Sequence, residues 1–208
     1  MKNLLLITVF TIYGQITSAQ STKYLLPNIG FITVSDKMEI QGGSYKAEVN
    51  DYLVANGVST SNRYVFQQKG INSGNGYDTY ARIIIKKNDE APSIYLYKLK
   101  SNGIYTKSEL NSLNTRLKKE IQDAISAYVN ASITYWKGVE QVKINGQNAL
   151  QCVYKRKSAM SPSVTCVKRL LLVRGNSLYL VNLEYWEKDA SLWKSILDNS
   201  IASFKIKA

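Results

Sequence analysis

The sequence predicts an α+β fold, with helices packed on a largely antiparallel sheet, and three observations carry that prediction. Four β-rich segments follow one another between Ile133 and Trp186, joined by tight turns. A long amphipathic segment with a helix-start signal precedes them, over about residues 106–129. A shorter amphipathic segment, about 190–203, closes the chain. Strand and helix segments that each carry one apolar face bury those faces against one another, and helices bracketing an antiparallel strand group give a sandwich.

The elements follow in order. Lys2, the apolar run Leu4–Ile12 and the small residues Thr17-Ser18-Ala19 have the n, h and c regions of a secretory leader, so residues 1–19 are expected to be removed. The mature protein is then one domain, 20–208, exported to the periplasm or the extracellular space. The leader holds only Lys2 of the 27 basic residues and none of the 15 acidic ones, so the net charge falls only from +12 to +11 and the mature chain stays strongly basic. No later stretch is long or apolar enough to span a bilayer.

Residues 20–30 read as an extended lead-in. Short strands are expected at Phe31–Val34, Met38–Gln41, Arg63–Lys69 and Tyr80–Lys87, with Ile83, Ile84 and Ile85 pointing to burial on both faces of the last. Tyr45–Gly57 fits either helix or strand. Ser93–Lys98 reads as a short strand or a helical turn. Thr106-Lys-Ser-Glu109 is a capping box, and Leu110, Leu113, Leu117, Ile121, Ala124, Ile125 and Tyr128 form one apolar stripe behind it. Arg116, Lys118, Lys119, Glu120 and Asp123 fill the other positions, a solvated face.

The four strands are Ile133–Lys143, Ala149–Lys155, Val164–Arg174 and Leu178–Trp186. Asn145-Gly146 and Gly175-Asn176 supply turns whose backbone needs φ > 0. In the third strand Val167, Arg169, Leu171 and Val173 face one way and Cys166, Lys168, Leu170 and Leu172 the other. Asp189 is placed to cap the last helix, whose stripe is Leu192, Trp193, Ile196, Leu197, Ile201 and Phe204.

Chemistry is bounded mostly by exclusion. Histidine is absent, which removes Ser-His-Asp and Cys-His machinery, H-E-x-x-H zinc sites and imidazole bases. Two cysteines cannot build a Cys₄ site. Neither a P-loop nor a calcium loop is present, and no cofactor or metal is implied. Glu184, Glu187 and Asp189 form the one tight acidic group near the strands. A carboxylate-based hydrolase is therefore the alternative reading, although capping and ion pairing account for the same residues. Lys155, Arg156, Lys157, Lys168 and Arg169 flank one hairpin and are the candidate binding patch, for a polyanion of the cell envelope. Export makes nucleic acid the poorer partner. A protein partner is the other candidate, docking on Tyr95, Tyr97, Tyr135, Trp136, Tyr185 or Trp186. Cys152 and Cys166 face each other in a symmetric hairpin centred on Ala159. An oxidising compartment then permits a disulfide, with two buried thiols as the alternative.

The phrase Gly146-Gln-Asn-Ala-Leu150, a strand ending near Tyr154, Leu178-Tyr-Leu-Val181, and the closing Leu192-Trp193 through Ser203-Phe204 resemble the PsbP/DcrB-like superfamily of α/β/α sandwiches. The resemblance covers the last third of the chain and, loosely, the central helix. It implies a non-catalytic accessory or binding role and transfers no site residue.

Overall fold

The fold is that of a computed structural model, which describes residues 20–57, 59–89, 100, 104–159 and 161–207. The expected leader, the segment 93–98 and Tyr95 and Tyr97 lie outside these residues.

Among the described residues, ten strands form two antiparallel sheets. β1 (Ser21–Leu26), β2 (Gly30–Ser35) and a terminal β10 (Lys205–Ile206) make the small one. β2 passes β10 so closely that a Cβ on Gly30 would fall 1.9 Å from the Lys205 carbonyl oxygen, so only glycine fits there. The large sheet has the order β3-β4-β5-β9-β8-β7-β6. Its strands are β3 (Met38–Ile40), β4 (Arg63–Gln68), β5 (Ala81–Asn88), β6 (Ala131–Ile144), β7 (Gln147–Ser158), β8 (Thr165–Arg174) and β9 (Ser177–Trp186). Both expected turns are present, with φ of 47° at Asn145, 77° at Gly146 and 55° at Gly175.

Among the described residues there are three α-helices: α1 (Gly43–Ala55), α2 (Lys107–Val129) and α3 (Ala190–Ala202). The ambiguous segment 45–57 is thus helical as far as Ala55, with Asn56 and Gly57 in a turn. The Thr106–Glu109 capping box forms as expected, the Glu109 amide donating to Thr106 Oγ1 and the Thr106 amide to Glu109 Oε2. Asp189 precedes α3 but does not cap it. Its carboxylate instead accepts from the Thr79 hydroxyl at 2.8 Å and the Tyr80 amide at 3.3 Å, tying the start of β5 to the helix entrance.

On one face of the large sheet, α3 and the small sheet bury Phe66, Ile83, Ile85, Leu170, Leu172, Val181 and Leu183 against Trp193, Leu197, Ile201 and Phe204. On the opposite face α2 packs Leu113 and Leu117 on Leu150, Leu171 and Leu178. Ile121 and Ile125 extend that contact over Cys152, Tyr154 and Val167. Asn114 pins α2 to the bulged edge strand, accepting from the Trp136 indole N–H at 2.8 Å and the Val139 amide at 3.2 Å. The result is an α/β/α sandwich.

The two cysteines correct the expected pairing. The β7–β8 ladder sets Lys155 opposite Cys166 and Cys152 opposite Arg169, three residues from the symmetric register. An odd slip turns side chains to opposite faces. Cys152 accordingly sits under α2 and Cys166 on the α3 side, and both are free thiols. Burial pushes the Cys152 thiol up to about 11.

Candidate functional site: a cationic half-face

Strand alternation also divides the five basic residues expected to form one patch. Lys155 and Lys168 point to the α3 side, Arg156 and Arg169 to the α2 side. Lys155 pairs with Glu187 at 2.5 Å, Lys168 with Asp198, and Lys157 donates to the Ser161 carbonyl at 2.7 Å. The hairpin therefore carries no single binding patch.

Arg156 and Arg169 instead join residues from distant parts of the chain. The ladders align Gln67, Arg82, Glu184, Val167 and Tyr154 in one row across the sheet. The next row toward the other end is Val65, Ile84, Asn182, Arg169 and Cys152, and the one after it is Arg63, Lys86, Leu180, Leu171 and Leu150. β4, β5, β9, β8 and β7 thus present Arg63, Arg82, Lys86, Arg156 and Arg169 on this face, against one carboxylate, Glu184.

Glu184 is only 5% exposed. Its Oε2 accepts from the Arg156 guanidinium at 2.9 Å and the Tyr80 hydroxyl at 2.8 Å. Burial alone would raise its pKa. Arg156, the Tyr80 hydroxyl, Arg82 and Arg169 outweigh that and hold it below the usual carboxylate range. Burial and the Glu184 charge push the Tyr80 phenol upward, so it stays a donor. Tyr80 also stacks on Trp186, ring centroids 5.7 Å apart.

The remaining cations are less well matched. Arg169 Nε donates to Asn182 Oδ1 at 2.9 Å, a neutral acceptor. Arg82 Nη2 donates to the Tyr45 hydroxyl of α1 at 2.5 Å, and its buried Nε has no hydrogen-bond partner among the described residues. Arg63 and Lys86 stand directly opposite each other on β4 and β5. Burial and then Arg82 lower the Arg63 pKa; burial and then Arg63 lower that of Lys86. Like charges set opposite on a ladder are destabilising.

Arg63 also lines a cleft of about 130 Å³ between α1 and the β3–β4 edge, with Lys46, Asn50 and Thr60 among its walls and no carboxylate. α1 buries no residue fully.

The acidic trio does not converge. Glu184 faces the arginines, Glu187 holds Lys155, and Asp189 serves Thr79 and Tyr80. No group of three metal-ligating side chains occurs among the described residues. Of the aromatic candidates, Trp136 packs beneath α2 and Tyr135 is exposed.

Sequence reasoning missed Arg63, Arg82, Lys86, Tyr45 and Tyr80. A signal was present: with Ala81, Ile83 and Ile85 buried, Arg82 and Lys86 must share the other face.

No protein-family model matches the chain, and no curated protein matches it. Solved structures do. The cyanobacterial PsbP, CyanoP, from Synechocystis sp. PCC 6803 is 16% identical with a TM-score of 0.53, over 93% of this chain and 96% of that one. LpqN, a protein involved in cell envelope biogenesis of Mycobacterium tuberculosis, is 11% identical with a TM-score of 0.43, over 91% of each chain. A Pseudomonas aeruginosa protein of unknown function, PA94, is 9% identical with a TM-score of 0.45, over 90% of this chain and 98% of that one. The fold is PsbP-like.

Proposed function

We propose that this is an exported, non-catalytic binding or accessory protein of the bacterial cell envelope, and that its ligand carries negative charge. The observation behind this reading is the half-face on which four arginines and a lysine oppose a single carboxylate. Cations gathered on one surface raise the local concentration of anions and orient them. The leader-like first nineteen residues supply the export part of the reading. A hydrolase fits less well. Its acid would need a carboxyl held protonated near neutral pH, whereas Glu184, the buried carboxylate here, is held ionised by arginine.

Retention on a sulfated-polysaccharide matrix tests this. Arg82→Gln with Arg169→Gln is expected to shorten retention more than Lys118→Gln with Lys119→Gln, which removes the same charge from the outer side of α2. Equal losses would reduce the effect to net charge.

A further inference from the structure

Resting on the anionic-ligand reading, the geometry points to a specific oxyanion site: the α1 cleft walled by Arg63 and Lys46, with Lys86 opposite Arg63, takes a phosphate group.

Three observations converge on this cleft. The first is charge. Arg63, Lys46 and Lys86 have no ion-pair partner among the described residues, whereas Arg156 and Lys155 on β7 and Lys168 on β8 all do. The second is placement. The β4–β5 ladder sets half-buried Arg63 directly opposite half-buried Lys86, so like charges stand side by side at the cleft wall. A dianion in the cleft would offset the charges of Arg63 and Lys46, both of which line it, and a monocarboxylate only one. The third is donor chemistry. A guanidinium fork and a lysine point charge, with the Thr60 hydroxyl and the Asn50 amide beside them, offer hydrogen bonds to several oxygens of one tetrahedral group. The cleft volume of about 130 Å³ suits one such group rather than an extended polymer.

The phosphate could be free, on a soluble monoester, or on a lipid headgroup. The test separates these sources. The protein is titrated calorimetrically with inorganic phosphate and with glycerol 3-phosphate. It is then sedimented with phosphatidylcholine vesicles with and without phosphatidic acid. Saturable binding to either soluble probe, weakened about tenfold by Arg63→Gln and less by Arg63→Lys, supports a soluble phosphate ligand. Sedimentation that requires phosphatidic acid and is lost in Arg63→Gln supports a lipid-borne one. Lys46→Gln, at an exposed helix position, repeats the test if Arg63→Gln fails to fold. Binding in neither arm, or binding indifferent to Arg63 and Lys46, overturns the site. Retention on the sulfated matrix that still depends on Arg82 and Arg169 would then leave the broader reading standing.

Discussion

The α2-side face of the large sheet has two halves, and they are built differently. Over β6, β7 and β8, α2 lays a stripe of Leu113, Leu117, Ile121 and Ile125 onto an apolar floor. Over β4, β5 and β9 the floor is Arg63, Arg82, Lys86, Asn182 and Glu184, and α1 above it buries nothing fully. One tie between helix and floor is a hydroxyl–guanidinium hydrogen bond, Tyr45 to Arg82. The contrast teaches where stability and function are divided. A half-face packed like α2 on β7 gains the usual burial free energy per apolar area. A half-face that keeps Arg63, Arg82 and Lys86 around one carboxylate gives up that gain, and natural proteins tolerate such local costs where a ligand will offset them.

The largest effect should come from the one carboxylate that holds the cationic half together. Glu184→Gln leaves Arg156 buried without a counter-charge, a loss of roughly 3–5 kcal/mol in the manner of broken buried pairs, measurable by denaturant melts. The same residue sets a pH dependence. Its folded pKa is depressed, so its stabilisation is present above the unfolded carboxylate pKa and is lost as pH falls through the folded value. The acid limb of the wild-type stability profile should therefore flatten in Glu184→Gln. An unchanged acid limb would mean that other carboxylates dominate.

A smaller effect sharpens the contrast between the helices. Leu117→Ala should cost about 2–5 kcal/mol, as deletions in a packed core do. Leu53→Ala on α1, only half-buried, should cost below about 1 kcal/mol. Similar losses at both positions would erase the difference between the two halves.

Much of the packed half was legible in the sequence. The capping box at Thr106, the α2 stripe and both tight turns are local signals, and each appears where the residues place it. α1 was not legible as helix or strand, because it lacks an apolar stripe: its inner side meets polar groups. The β7–β8 register was misjudged for a related reason. Both strands carry apolar and basic residues on each face, so hydrophobic patterning did not choose between registers, and Cys152 came to lie three residues away from the partner a symmetric hairpin assigns. The cationic half-face was partly legible through alternation. Lys168 and Arg169 are adjacent, so they could never share a surface. The convergence of Arg63, Arg82 and Glu184 depends on the order β4-β5-β9, in which β5 pairs with β9 between residues 90 to 104 positions apart, and no local pattern encodes that.

The most direct test of the central claim, that the α1 half keeps cations for a ligand at the expense of the fold, is the unfolding free energy of Lys86→Thr in buffer free of multivalent anions. Removing one of two opposed like charges, and replacing it with a good strand former, should leave the protein as stable as wild type or more stable by up to about 1 kcal/mol. A loss of more than about 1 kcal/mol would show Lys86 to be part of the framework and would contradict the account.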